Sequence, residues 1–419
     1  MIVHKNYNVI IWRAIKINSG IIMRIVHIED FFHPDAGYQI NILPKYLTKF
    51  GHEQIIITST MDRAPSALKE FFSAENIEEK DKKYTENNNV KIIRLPLRAF
   101  ISGRAIFFKK QLLNTIKSVA PDVLFVHGND TLTGMQMIQN RMKLPCPMVL
   151  DSHMLDMASQ NKFSKLFHWF YKCFYTPKII KNKIPVIRTQ NDSYVKRRLG
   201  IPLELAPWIS YGSDTLLFHP DNLVKERFRE ENKISKDSLI VCYAGKLVES
   251  KGGLFLAEAI KNKFNVNREI VFLIIGNTVG EYGQKVERVL ETSVNRIIRF
   301  PTQKYSELAK YYQVADLAVF PRQCSLSFYD VQACGLPVLF EDNNINIERS
   351  AHGNGWTFRS GDILDFKSRM EFIANMSEND LNKYSQNSMS FIYENYNYMD
   401  KAREYEKVLF SFTQKKEQQ

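Results

Sequence analysis

Short apolar runs, each followed by a stretch with helical spacing, recur along this chain and restrict its fold more than any other feature. Residues 24–28, 54–58, 90–95, 123–127, 148–151 and 185–189 form one series, and 239–244, 270–275, 297–300, 317–320 and 338–341 a second. Near-continuous apolar runs are the mark of strands buried on both faces, and strands alternating with helices return parallel. The expectation is therefore α/β, with doubly wound parallel sheets. At 419 residues the chain exceeds what one core supports, so two domains in series are expected. The charged segment 221–237 reads as a linker at their boundary. The division is 1–22 as an N-terminal extension, 23–212 as the first domain, 213–395 as the second, and 396–419 as a C-terminal helix packing back on the first.

Several function classes are excluded early. No apolar run approaches the roughly 20 residues that span a bilayer, and residues 1–22, interrupted by Lys5, Arg13 and Lys16, lack a signal-peptide cleavage site. Five cysteines without CxxC spacing argue against a disulfide framework and a structural zinc site, so a cytoplasmic setting is expected. The net charge of +12 predicts anionic partners. Nucleic acid is set aside because no recognised binding module is present.

The unit 315–339 reads as strand, polar loop, short helix and strand, the layout of an α/β ligand site at the carboxyl end of a strand. A second such place is CYAGKLVESKGG, where Gly245 and Lys246 follow a strand, and Lys251, Gly252 and Gly253 precede a helix. Glycines there allow a tight turn, and two lysines can clamp a diphosphate. The order GxxxxGK[ST] is absent, which excludes a P-loop hydrolase. Residues 61–89 are polar and read as an exposed excursion. Residues 162–183 read as one helix mixing aromatics with lysines and containing no acid, a composition suited to an anionic bilayer surface or to ordinary amphipathic packing.

MRIVHI, PDAG, GHEQIIITS, YGSDTLLFHP, YAGKLVESKG and ACGLPVLFED occur in an order that resembles the retaining glycosyltransferases of family four, from Met23 to about residue 410. The resemblance implies the GT-B architecture, two facing Rossmann-like domains with a cleft between them, and metal-independent transfer from a nucleotide sugar with no further cofactor. It assigns Lys246 and Lys251 to the donor diphosphate, and Asp330 to the second glutamate of a pair eight positions apart, where it would bind the donor ribose. The first glutamate is replaced by Arg322, with Gln323 beside it. An arginine cannot accept a hydrogen bond. Either Gln323 or the loop Ser325, Leu326 and Ser327 does the positioning, or the branch handles a different sugar, or activity is lost.

In the first domain Gly37 matches the glycine of the donor-facing loop, with Tyr38 replacing a second glycine. His153 matches a histidine facing the sugar, with Asp151 to orient it. His127, Asn129 and Asp130 are further cleft candidates. The absence of any Asp-x-Asp pair agrees with a metal-independent site. The function implied is transfer of a sugar to a lipid-linked or polysaccharide acceptor in cell-surface polysaccharide synthesis, at the cytoplasmic membrane face. A sugar-nucleotide epimerase and a non-catalytic binding subunit are the alternatives.

Overall fold

The computed structural model describes residues 22–64, 75–101, 104–154, 156, 163–322 and 326–413. The strands in chain order are β1 (Arg24–Ile28), β2 (Glu53–Ser59), β3 (Val90–Leu95), β4 (Leu97–Ile101), β5 (Arg104–Phe107), β6 (Val123–Val126), β7 (Met148–Ser152) and β8 (Val186–Arg188). They continue with β9 (Leu239–Ala244), β10 (Ile270–Ile275), β11 (Arg296–Phe300), β12 (Leu317–Phe320), β13 (Val338–Glu341) and β14 (Gly355–Phe358). Two six-stranded sheets result, in the orders β3-β2-β1-β6-β7-β8 and β11-β10-β9-β12-β13-β14. Every pairing within them is parallel. The chain reverses its winding between β1 and β6, and again between β9 and β12. Ligands enter α/β sheets at the carboxyl ends of strands beside such reversals.

Side chains on both faces of the central strands are buried, which is why those strands are largely apolar: Val26, Ile28, Leu124 and Val126 face one core, and Ile25, Val123 and Phe125 another. The helix Gln39–Lys49 is buried nearly all round, because the C-terminal helix Tyr398–Thr413 covers its outer side. Tyr398, Ala402, Tyr405 and Leu409 pack there with Ile42, Leu43, Tyr46 and Leu47. The chain passes between domains twice at one place. Ser213 donates its N–H to Tyr396, and Tyr398 donates its N–H to Ser213. Gly212 permits this approach, since a Cβ there would lie 2.4 Å from the Tyr396 carbonyl oxygen.

Two expectations need correction, and a third, the exposed excursion 61–89, gains a helix. Segment 221–237 is no linker: Asp221 caps the helix Asn222–Glu231 by accepting from the N–H groups of Leu223 and Val224, a cap worth about 0.5–2 kcal/mol. Arg229 on that helix is buried and holds Asp316 at 2.8 Å, with Lys225 on the same carboxylate at 2.6 Å. Within 61–89, Ile77–Asn88 is a helix anchored by one buried side chain, Tyr84, whose hydroxyl donates to the Asn41 carbonyl. The aromatic and lysine segment is two helices, Ser164–Phe174 and Thr176–Lys181, parted at Tyr175 with Pro177 in the first turn of the second. Proline lacks the N–H that a continuous helix would need there.

Candidate active site

The first wall of the site is built at the carboxyl ends of the adjacent strands β1, β6 and β7. Strand order brings together His27, Glu29, His127, Asp151 and His153, which are up to 126 positions apart in sequence. Asp151 is fully buried; its carboxylate meets His127 Nδ1 at 2.7 Å and His153 Nε2 at 2.9 Å, and accepts from the Gly128 N–H at 2.7 Å. His127 Nε2 faces His27 Nδ1 at 3.0 Å, and His27 Nε2 faces Gln54 Oε1 at 2.9 Å. On the open side His153 Nδ1 is hydrogen-bonded to the Tyr211 hydroxyl. One chain of hydrogen bonds thus runs from the sheet interior to the segment that joins the domains.

The protons in this chain follow from the burial of its members. Burial, with His127 adding to it, pushes His27 down to about 3, so this ring is neutral with a single N–H. The Gln54 amide nitrogen is buried without a partner. Turned over, the amide would give its N–H to His27 and leave only a carbonyl unmatched, which buried sites tolerate better. His27 then donates to His127, and His127 donates to Asp151. Burial would lower His153 and raise Asp151, but their mutual attraction, with Tyr211 acting on His153 and His127 on Asp151, outweighs it in both. His153 is held well above the ordinary histidine range and Asp151 well below the carboxylate range. His153 is therefore an imidazolium at neutral pH, its ring partly open to solvent. Glu29 faces the same cluster, and burial pushes its carboxyl up to about 7. His127, Asp151 and His153 have ligand atoms within 4.8 Å of one another, near enough to grip a cation. Both nitrogens of each imidazole are already hydrogen-bonded, so the set as built holds protons.

The second wall lies at the carboxyl ends of β9 to β12. Gly245 and Lys246 follow β9, and the turn Glu249–Lys251 leads into the helix Gly253–Ala259. Arg322 follows β12 and lies on that same turn, its Nη1 donating to the Glu249 carbonyl at 3.3 Å and its stem over Gly252. Lys246, Lys251 and Arg322 are thus grouped around one turn. Next to it, Gly276 lies so close to Gly245 that a Cβ would stand 2.0 Å from the Gly245 carbonyl oxygen. A cavity of about 310 Å³ opens there, lined by Gly276, Asn277, Thr278, Arg299 and Pro301 among others.

The remaining expected residues are placed as follows. Leu326 and Ser327 begin the helix Ser327–Ala333, while Gln323 and Ser325 lie outside the described residues. Asp330 is buried rather than presented to the cleft; it accepts from Ser213 Oγ at 2.7 Å and lies 3.5 Å from the Tyr305 hydroxyl. A ribose contact would require this packing to open. Gly37 sits against the Tyr305 ring, where a Cβ would approach to 2.0 Å. The glycine therefore serves an interdomain contact, joined by the Tyr305 N–H on the Asp35 carbonyl at 3.1 Å and by Lys304 with Asp35 at 3.4 Å.

Sequence reasoning missed His27, Gln54, Glu29, Tyr211, Ser213 and Tyr305. His27 and Gln54 carried a signal, since each is a polar residue inside an otherwise apolar strand.

Burial pushes the Asp330 carboxyl up to about 8, with the Ser213 hydrogen bond opposing it and Asp214 adding to it. Above its ordinary value of 3.8 the unfolded chain has released this proton while the folded one keeps it. The stabilisation is full at low pH and is lost as pH rises through about 8. The melting temperature of the ligand-free protein is expected to fall between pH 6 and 9, and to fall less in Asp330→Asn. An equal fall in both proteins would contradict this assignment.

Two doubly wound parallel domains, each with a six-stranded sheet, define the GT-B fold. HepE of Anabaena, solved in complex with UDP and glucose, superposes with a TM-score of 0.68 over 93% of this chain and 100% of its own, at 15% identity. Residues 224–390, within the second domain, match the family model described as "Glycosyl transferases group 1". Among curated proteins, D-inositol 3-phosphate glycosyltransferase of Segniliparus rotundus is 26% identical over 136 residues, 30% of this chain and 30% of its own. Lipopolysaccharide 1,2-N-acetylglucosaminetransferase of Salmonella typhimurium is 25% identical over 126 residues, 27% of this chain and 33% of its own. The matches span about a third of the length of these curated relatives.

Proposed function

We propose that the protein transfers a sugar from a nucleoside diphosphate sugar to a lipid-linked or polysaccharide acceptor of the cell surface. The observation that carries this reading is the glycine-rich loop after β9, which bears Lys246 and Lys251 and whose Gly245 packs against Gly276 at the lip of the cavity, within the segment that matches the glycosyl transferase family. Breaking the bond between sugar and diphosphate builds negative charge on the leaving group, and two lysines stabilise that charge where it forms. The adjoining cavity offers room for the base, and the imidazolium of His153 faces the donor from the other domain. Retention of configuration is consistent with attack on the same face from which the diphosphate departs, a route that requires no enzyme nucleophile. The names of the relatives, one acting on lipopolysaccharide and one bound to UDP and glucose, support a UDP-sugar donor and a glycan acceptor. Arg322, which stands where the resemblance expects a carboxylate, keeps a second reading in play, a binding subunit without transfer.

Thermal unfolding against UDP-, GDP-, ADP-, CDP- and dTDP-linked sugars tests the proposal. A donor at 100 times its dissociation constant stabilises the fold by about 2.7 kcal/mol. One nucleotide class is expected to raise the melting temperature, and Lys251→Ala to abolish the rise. No rise with any nucleotide would reject the donor site; a rise without transfer or hydrolysis would favour the binding subunit.

A further inference from the structure

The helices Ser164–Phe174 and Thr176–Lys181 bury one apolar stripe and expose a second. His168, Tyr171, Tyr175, Thr176 and Ile179 face the first domain's interior. Phe163, Leu166, Trp169, Phe170, Phe174 and Ile180 are turned outward, with Leu166 at 63%, Trp169 at 59% and Phe174 at 50% exposure. A surface helix ordinarily carries polar residues opposite its core stripe, and ordinary amphipathic packing does not account for aromatics there. Exposed large apolar residues this closely grouped mark a contact surface.

The charges beside the face select its partner. Lys165, Lys172, Lys178, Lys181 and Lys183 accompany the aromatics, and no Asp or Glu occurs from 163 to 183. The β4–β5 hairpin extends the surface on one side, with Ile101 exposed and the Arg104 guanidinium 5.5 Å from the Phe167 ring. No helix among the described residues is long and apolar enough to cross a membrane. Rings flanked by lysines seat at the boundary between acyl chains and headgroups, and the lysines pair with anionic headgroups. A second copy of the same face would bring these lysines against each other, an unfavourable contact.

We infer that this outward face of residues 163–181 docks the protein on an anionic lipid bilayer. Docking deepens the proposed function by bringing the first domain to the surface where a lipid-linked acceptor resides.

Flotation of the full chain with phosphatidylglycerol-containing vesicles and with pure phosphatidylcholine vesicles provides the test. Binding is expected to the first, to weaken with salt, and to be slight to the second. Each lysine near the surface contributes roughly fivefold, so Lys165→Glu with Lys178→Glu should lower binding by at least about 25-fold. Trp169→Ser with Phe174→Ser should lower it at least tenfold, an order-of-magnitude expectation for lost apolar burial. The donor-induced rise in melting temperature is expected to persist in both double variants, which shows that they fold. Absence of binding by the wild type, or binding unchanged in both variants, overturns the inference. So does a wild-type dimer in solution that the Trp169 variant converts to monomer. Vesicle binding without any donor response would instead reject the transferase reading and leave this one standing.

Discussion

Lys251→Ala is expected to lower turnover on the order of 100-fold, and Lys246→Ala by a similar factor, since removing one donor to a developing charge has that effect. Lys246 lies two residues after β9 and Lys251 ends the turn Glu249–Lys251, and the proposed reading seats the diphosphate between them. The charge they meet grows as the bond to the sugar breaks. Loss of either should therefore reduce kcat more than it raises KM for the donor. The two share one ligand, so the double variant should lose less than the product of the single losses. Both side chains are half-buried at the rim of a loop, and substitutions of that kind usually shift stability by only about 0.5 kcal/mol. A large loss of turnover at near-normal stability is thus a property of the site. Steady-state kinetics on the donor provides the measurement, and near-normal turnover in both single variants would remove the diphosphate assignment. Arg322 on the same turn gives a further contrast. If it also neutralises the diphosphate, Arg322→Ala resembles the lysine variants; if it faces the sugar, its effect depends on which sugar the donor carries.

The central strands of both sheets were legible because each is buried on two faces and so reads as a largely apolar run, and the edge strands β3 and β11 because Ile92 with Ile93 and Ile297 with Ile298 keep short apolar runs between their charges. The hairpin β4–β5 and the edge strand β14 were not, since the first breaks that continuity and the second is four residues opened by Gly355. The helix Asn222–Glu231 looked like a linker because its burial rests on Arg229, a charged residue whose partner Asp316 lies 87 positions on. Helix Ile77–Asn88 was hidden for the same kind of reason, with Tyr84 alone buried. In the site, motif positions could be named from the chain, and the pairing of Asp151 with His153 was legible as two neighbours at a strand end. Its continuation to His127, His27 and Gln54 was not, because sheet order decides which strand ends meet. Nor could sequence show that the segment around Ser213 closes over Asp330, or that Tyr305 occupies the space left by Gly37.

Asp151→Asn is expected to be the most disruptive conservative change in the first domain. The carboxylate accepts from His127, His153 and the Gly128 N–H, with no exposed surface of its own. An asparagine of the same shape offers one acceptor and two N–H groups where the site supplies donors on every side. At least one donor must then face another, and the positive charge of His153 loses its buried partner. Breaking a fully buried ion pair by removing one member costs about 3–5 kcal/mol, and because the His153 side chain is 37% exposed, solvent screening brings the cost here below that range. His153 can limit that cost by giving up its proton, because burial, no longer opposed by Asp151, drives its pKa down. The substitution should therefore be read at His153 itself. Its ring nitrogens, followed by NMR from pH 6 to 9, are expected to keep the signature of an imidazolium above pH 7 in the wild type and that of a neutral ring in the variant. Transfer should fall with it, because a neutral ring hydrogen-bonded to Tyr211 no longer brings positive charge to the donor. An imidazolium that persists in Asp151→Asn would show that Tyr211 and the second domain hold the proton, and that the chain of histidines behind Asp151 serves stability alone.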